Sequence, residues 1–475
     1  MPLLDYSLEE ILDRLRFENR WWSKLVIEEF YAKMHPRPYL KLFWRLVSQT
    51  SVRRAIVLMG PRRVGKTVML YHMVQRLIDE GADPLKIVFV SIETPIYLGL
   101  SLERLFLYAR EATGKLAPEG WHVIFDEIQY LKDWEVHLKR LVDDYPSTRF
   151  IASGSAAAAL RLKSIESGAG RFTNFVLPPL TFSEFIELKG LNHLILESEI
   201  EYAGSQFPFY QTNNNAELNQ HFLDYINFGG YPEVTLSSAV AADTARYIRS
   251  DIIDKVLLRD LPSLYGIRDV QELNALFTML AFNSGQEISL ESLSQKSGVD
   301  KATIKRYMEY LEAAFLIKTV RPVTENAKYF QRMRQFKVYL TNTSLRAALF
   351  APLAAQDDAL GHLVETAIFD QWLHRPYDGL HYARWEKGEV DLVSVDEAVQ
   401  KPRWAVEVKW SNRQFEKPGD LSTLVGFCEK NGLKSAIVTT IDKWGQYTSN
   451  GVTLTFVPAS VYAYTVGKRV FKDEP

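Results

Sequence analysis

Cysteine is almost missing. Cys428 is the only one in 475 residues, so an internal disulfide is excluded and a reducing cytoplasm is the expected setting. Long apolar runs are missing too. No stretch approaches the ~18 residues that would span a bilayer, and the opening MPLLDYSLEEILDRLRFENRWW has no positive-then-apolar signal pattern. No membrane partner is expected. Charge of one sign is not in excess: 56 Lys and Arg against 58 Asp and Glu leave a formal net charge of −2. No global basic field advertises nucleic-acid binding, so any such surface has to be a local patch. Internal repeats, low-complexity tracts and Cys/His clusters are also lacking. What remains is a globular composition, 47% apolar and 24% charged, at a length that suggests about three domains.

The chain is organised around GPRRVGKT: Gly60, Pro61, Arg62, Arg63, Val64, Gly65, Lys66 and Thr67. It follows the apolar run Ala55–Met59 and precedes a helical pattern beginning at Val68. Strand, Gly-rich loop, Gly-Lys-Thr and helix together make a P-loop. The glycines free the loop backbone so that its N–H groups cradle phosphate oxygens, with the helix N-terminus behind them. Lys66 is expected to reach the β- and γ-phosphates, and the Thr67 hydroxyl to hold Mg²⁺.

Strands and helices then alternate, the pattern of a parallel α/β sheet. Residues 87–92 and 121–125 read as strands, the latter ending in Asp126-Glu127. This is a Walker B arrangement, although His122 interrupts its apolar run. Asp126 is expected to hold the Mg²⁺ shell and Glu127 to act as general base on the attacking water. The competing reading is that the two acids merely open a helix. A further strand at Arg149–Ala152 leads to Ser153, a candidate contact to the γ-phosphate or lytic water. Arg171, after Gly170 in SIESGAGRF, is a candidate arginine finger in its own chain or a neighbour's. Upstream, residues 1–50 read as helices, with stripes of Leu8, Ile11, Leu12, Leu15 and of Trp21, Trp22, Leu25, Val26, Phe30; the tryptophans are read as packing.

These motifs, with IFDEIQYLKDWE, LPPLTFSEF and FGGYPEV, resemble a prokaryotic family of AAA-type ATPases close to the archaeal ATPase group. The resemblance spans nearly the whole chain. It implies ATP as the nucleotide, an ATPase core, a winged-helix region and a C-terminal nuclease-like fold.

Residues from about 190 to 280 read as mainly helical, with Tyr247–Asp260 a lid or linker. In EISLESLSQKSGVDKATIKRYMEYLEAAFL, a short helix, a Gly298 turn and an Asp300-capped second helix form a helix-turn-helix pattern. Ile304, Tyr307, Met308 and Leu311 fall on its core side, and Lys301, Thr303, Lys305 and Arg306 outside. Residues 317–320 and 337–340 are candidate wing strands, with Lys328, Arg332, Arg334 and Lys337 near the wing. The clustered cations favour DNA over a purely protein partner.

The last third carries another constellation. Glu365 lies on a predicted helix, Asp391 in a strand, and Glu407 and Lys409 sixteen residues further on, two apart and so on one face. This resembles the PD-(D/E)xK nuclease core, with Val390 where that motif has proline. Asp391 and Glu407 are hard oxygen ligands suited to Mg²⁺, and Lys409 is placed to orient water or neutralise charge. The competing reading is an ordinary strand face of alternating charge. Later strands at 437–440 and 452–457 would close the sheet, leaving Lys468, Arg469 and Lys472 in a solvated tail.

The expected fold class is α/β: a P-loop NTPase parallel sheet (51–225) behind a helical N-terminal segment (1–50), a lid and winged-helix domain (226–350) and a restriction-endonuclease-like domain (351–475). The expected function is ATP hydrolysis coupled to DNA binding and Mg²⁺-dependent cleavage. The alternative is a STAND-like nucleotide switch that docks a protein or DNA partner without cutting. A homo-oligomer stays open.

Overall fold

A strand without a polar residue is stable only where both its faces are covered. β1 (Ala55–Met59) meets that condition, with all five residues buried inside a parallel sheet. The computed structural model describes residues 6–155, 170–241, 243–328, 335–375, 379–396 and 398–471. In it the sheet is completed by β2 (Ile87–Ser91), β3 (His122–Asp126), β4 (Arg149–Gly154) and β5 (Phe172–Val176), in the order β2-β3-β4-β1-β5. Every pairing is parallel. β4 lies between β1 and β3, so its end, Ser153, is flanked by the P-loop on one side and Asp126 on the other.

The expected N-terminal helices are present at Leu8–Glu18, Trp21–Lys24, Glu29–Ala32 and Tyr39–Ser48. A Ser7–Glu10 capping box opens the first. Side chains tie this segment to β2: Asn19 both donates to and accepts from the backbone of Phe89 (2.9 and 2.6 Å), and the indoles of Trp21 and Trp22 donate to the Ile87 carbonyl at 2.9 and 2.8 Å. The rest of the second stripe departs from expectation. Leu25, Val26 and Phe30 are exposed, because Leu25 adopts a left-handed backbone (φ 59) that ends the helix. Leu8 is exposed as well.

His122 sits at the start of β3 with Nδ1 buried and without a hydrogen-bond partner. Burial, with Arg149 nearby, pushes its pKa down from 6.5 to about 4. The unfolded chain takes up this proton first as pH falls, so stability should drop between pH 6.5 and 4, by on the order of 3 kcal/mol. His122→Gln should flatten that acid limb in thermal melts recorded from pH 4 to 7. An unchanged slope would place the acid sensitivity elsewhere.

The chain divides into two compact units, Met1–Pro178 and Pro179–Pro475, so the expected boundary near residue 225 moves to the Pro-Pro step. The reason is a core shared by segments far apart in sequence. Phe182, Phe185, Phe222 and Tyr225 pack in one cluster with Ile368 and Tyr462, and Gln371 Oε1 accepts the Phe182 N–H at 2.9 Å.

Within this second unit, the region expected to be mainly helical contains a hairpin, β6 (Ile195–Tyr202) and β7 (Ser205–Thr212). Its two-residue turn, Ala203-Gly204, takes positive φ at both positions (52 and 80), the geometry that matches strand twist. The stretch 249–260 is largely π-helical and buries Ile252, Ile253, Val256 and Leu257. Helices Leu290–Ser297 and Lys301–Ala313 are joined through left-handed Gly298 (φ 75), and Asp300 caps the second by accepting from Ala302 and Thr303 N–H at 2.9 and 3.0 Å. Beside them stand three antiparallel strands, β8 (Glu287–Ser289), β9 (Ile317–Val320) and, after β10 (Pro322–Val323), β11 (Gln335–Leu340), with β11 in the middle. Arg332 and Arg334 lie outside the described residues.

β10 joins a second, mixed sheet with β12 (Leu380–Trp385), β13 (Gly388–Asp396), β14 (Lys401–Glu407), β15 (Ser435–Thr440), β16 (Gly445–Ser449) and β17 (Val452–Pro458), ordered β10-β12-β13-β14-β15-β17-β16. The expected solvated tail is instead a helix, Ala459–Arg469, buried over most of its length. Lys468 pairs with Glu187 and Arg469 donates to the Pro208 carbonyl; Lys472 lies outside the described residues. Among the described residues no helix is long and apolar enough to cross a membrane.

Candidate functional site

Two clusters of chemistry-bearing side chains emerge, one in each unit. The first forms where β1, β4 and β3 end. Gly60 has φ 154, and a Cβ there would meet the Leu177 carbonyl oxygen at 2.2 Å, so the loop leaves β1 along a path only glycine can follow. Gly65 (φ 91) is the N-cap of the helix Lys66–Asp79. Lys66 is buried and folds back on its own loop, donating to the carbonyls of Gly60 (3.2 Å) and Pro61 (2.9 Å). Burial holds its pKa below the usual lysine value. Thr67 Oγ1 donates to Asp126 Oδ2 at 2.8 Å, and Ser153 donates to the other Asp126 oxygen. Ser153 Oγ in turn accepts the Glu127 N–H at 3.1 Å. Burial, with Glu127 adjacent, pushes the Asp126 carboxyl up to about 6, against the pull of Ser153 and Thr67. The donor set, a hydroxyl and a carboxylate in contact beside the loop Gly60–Thr67, fits Mg²⁺.

The second cluster lines a cleft of about 390 Å³ bounded by Glu287, Lys337, Glu365, Glu389, Asp391 and Lys409. Glu365 comes from the helix Leu360–Leu373, of which nearly every residue is buried. In the pairing of β13 with β14, Leu392 faces Val406, and the next step of that register sets Asp391 opposite Glu407. Lys409 Nζ lies between these two acids, 3.0 Å from Asp391 Oδ2 and 2.7 Å from Glu407 Oε1. Asp391 Oδ2 also accepts the Val408 N–H at 2.8 Å. Burial would raise Asp391, yet Lys409 and Lys337 hold it below the usual carboxylate range. Burial, with Asp391 beside it, pushes Glu407 up to about 8. Its second oxygen, Oε2, is buried and has no hydrogen-bond partner. The four residues singled out in the sequence thus meet in one place.

Lys337 is where the sequence misleads. Expected on an exposed wing, it is instead buried against the acids, 2.9 Å from Glu365 Oε1 and 2.6 Å from Glu389 Oε1. Tyr339, two residues along β11, donates to the same Glu365 oxygen at 2.7 Å. Because lysines stand between the carboxylates, no three His, Cys, Asp or Glu side chains among the described residues gather closely enough to hold a metal by themselves. Asp391 and the unpartnered Glu407 oxygen remain a fitting pair, since Mg²⁺ takes one or two carboxylates and completes its shell with water and substrate phosphate.

Residues 52–186 match the family model of an AAA domain. A domain of unknown function, DUF8612, matches residues 219–357. Among curated proteins, the uncharacterized MJ1544 of Methanocaldococcus jannaschii is 23% identical over 368 residues, 76% of each chain. An uncharacterized protein of Haemophilus influenzae is 23% identical over 76% of this chain and 82% of its own. Among solved structures, Cdc6p from Pyrobaculum aerophilum overlaps loosely, with a TM-score of 0.29 and 14% identity over 68% of this chain and 97% of that one.

Within the stretch that matches this model, Arg171 does not reach the P-loop. It precedes β5, its carbonyl accepts the Ala55 N–H, and its guanidinium pairs with Asp143 at 2.5 Å. Ala55 starts β1 and the loop follows its end, so Arg171 sits at the opposite edge of the sheet, roughly 16 Å along the strand. Within its own chain, Arg171 therefore lies away from the loop. Two further residues support the site. Gln129 donates to Glu127 and accepts the Ser155 N–H at 3.3 Å, holding the candidate base. Arg37 donates to the Val64 carbonyl at 3.0 Å, bracing the loop from the N-terminal segment. Gln129 lies inside the motif IFDEIQY, whereas nothing local marks Arg37.

Proposed function

We propose that this chain hydrolyses ATP at the loop Gly60–Thr67 and acts on DNA, with Mg²⁺-dependent phosphodiester cleavage in the cleft around Asp391. The observation that carries the ATPase reading is the Thr67–Asp126–Ser153–Glu127 chain of hydrogen bonds beside the loop. It sets a hydroxyl and a carboxylate suited to a metal next to Glu127, the candidate base, whose carboxylate Gln129 holds. Val68 follows Thr67 in the same helix, and Ser153 is placed to sense the terminal phosphate.

DNA contact through a winged helix is supported by the capped helix Lys301–Ala313, which exposes Lys301, Lys305 and Arg306. A groove of about 1230 Å³ beside it also takes in Lys318 and Arg321. Acids are interspersed, with Glu291 paired to Lys301 and Glu312 to Lys318, so binding should be of moderate strength and salt-sensitive. In the cleft, Asp391 and Glu407 would hold the divalent ion. When bound, it supplies water activation and stabilises the leaving oxygen. Lys409 is placed to neutralise charge on the phosphate, and Glu365 is the helix acid of this nuclease-like arrangement.

A second reading, a nucleotide switch that docks a partner without cutting, is favoured by the lysines interposed between the cleft's carboxylates. One preparation decides. ATP turnover measured with and without DNA, beside a cleavage assay on linear and plasmid DNA with Mg²⁺ or Mn²⁺, should show turnover that DNA accelerates and metal-dependent nicking. Turnover indifferent to DNA, with DNA intact throughout, selects the switch. Absence of turnover defeats both.

A further inference from the structure

A guanidinium taken out of water is costly unless an anion or a full set of acceptors holds its charge. Arg149 is 8% exposed, and its hydrogen-bond partners are carbonyls alone. Nη1 donates to Val52 and Arg54 at 2.9 and 3.2 Å, and Nη2 to Leu46. Its Nε is buried without a hydrogen-bond partner, and so is Nδ1 of His122, the residue paired with Arg149 across β3 and β4. β1 pairs with β4 through Ile56 and Ile151, and that register carried back two residues sets Arg54 beside Arg149. Three neighbouring parallel strands therefore open on Arg53-Arg54, His122 and Arg149, and these side chains collect at one edge of the sheet.

That edge holds a cavity of about 90 Å³, lined by Arg53, Arg54, Arg149 and His122 together with the hydroxyl residues Thr50 and Ser147. Among the described residues no Asp or Glu lines it. Arg53 and Arg54 are exposed, and among the described residues neither side chain has an acidic partner. The acids that end the adjoining helix Trp134–Asp144 are engaged elsewhere, Asp143 with Arg171 and Asp144 with Arg140. Three arginines unopposed by a carboxylate make a local positive field that favours an anion. Guanidinium forks match the oxygens of a phosphoryl group. The volume, about that of three waters, admits one tetrahedral oxyanion but neither a base nor a sugar.

We propose that this cavity binds a phosphoryl group, as free phosphate or the head of a small phosphomonoester, between Arg53, Arg54, Arg149 and His122. A neutral imidazole can donate from Nδ1, and Arg149 from Nε. The site lies at the other end of β3 from Asp126, roughly 13 Å along the strand, and is distinct from the loop Gly60–Thr67.

His122 is the local reporter. An anion against its ring raises its pKa from the value near 4 that burial and Arg149 impose. Full-length protein with ¹³C-labelled histidine is followed by nuclear magnetic resonance from pH 4 to 7, His122→Gln assigning the resonance. Inorganic phosphate should raise the His122 pKa by about one to three pH units relative to chloride at equal ionic strength. Glycerol phosphate distinguishes the sources: a matching shift assigns a phosphomonoester head, and a shift with inorganic phosphate alone assigns the free ion. Phosphate held at the loop would be lost in Lys66→Ala, so the His122 shift should survive that substitution. Arg53→Gln combined with Arg54→Gln changes two exposed side chains and should raise the phosphate concentration needed at least about tenfold, the cost of a lost charge-assisted hydrogen bond. A His122 pKa indifferent to phosphate would overturn the proposal, as would an equal shift in acetate or a shift that vanishes in Lys66→Ala. So would a double variant that melts like wild type and responds at wild-type phosphate concentrations.

Discussion

Lys66→Ala is expected to abolish ATP hydrolysis, lowering turnover by at least about a hundredfold, the usual cost of losing one preorganised charge at a phosphoryl-transfer site. Lys66 donates to two loop carbonyls, at 3.2 and 2.9 Å. An entering γ-phosphate competes with those carbonyls for the ammonium, and burial makes that charge worth more than it would be in water. Glu127→Gln should separate binding from chemistry. The loop, Thr67 and Asp126 are untouched, so Mg-ATP should still bind with near wild-type affinity while turnover falls about 10²–10⁴-fold, the range for a lost general base. Calorimetry with Mg-ATP beside a phosphate-release assay measures both. If Lys66→Ala hydrolyses ATP at the wild-type rate, the loop is not the site. If Glu127→Gln loses binding together with turnover, Glu127 supports the loop rather than the water.

The readability of each site follows from how local its determinants are. The P-loop is eight consecutive residues between a strand and a helix, and Asp126 and Ser153 close neighbouring parallel strands, so their meeting follows once the strands are recognised. The same logic locates Arg171. It stands immediately before a strand parallel to β1, and the start of a parallel strand is at the far end from the loop. Lys337 is hard to place for another reason. Period-two alternation says which residues share a face of β11, placing Lys337 with Tyr339, but not which face meets water. Here the helix Leu360–Leu373 covers that face, and the two side chains converge on Glu365. The boundary at Pro178 was unreadable because it depends on a core that joins residues near 182 with others near 462, a contact no local pattern announces.

Asp391→Asn is expected to remove DNA cleavage altogether while leaving ATP turnover at the wild-type rate, since Asp391 lies in the second compact unit and the P-loop in the first. The substitution is nearly isosteric, but it takes away the carboxylate that Lys409 Nζ (3.0 Å) and the Val408 N–H (2.8 Å) both address. Lys409 then has only Glu407 as an acidic partner, and the site loses a charged oxygen ligand. Bound Mn²⁺ should fall by at least tenfold in affinity, as happens even for lesser perturbations around a metal site. The same reasoning gives a pH dependence for the wild type. Glu407 is pushed up to about 8 by burial and by Asp391, so below that pH the ion must displace a proton. Metal affinity, and cleavage with it, should rise from pH 6 to about 8 and then level. In Asp391→Asn the like charge is gone, Glu407 should ionise more easily, and the rise in residual Mn²⁺ binding should move to lower pH. Binding isotherms at pH 6, 7 and 8 for the two proteins would show it. A cleavage rate unchanged by Asp391→Asn would move the chemistry out of this cleft.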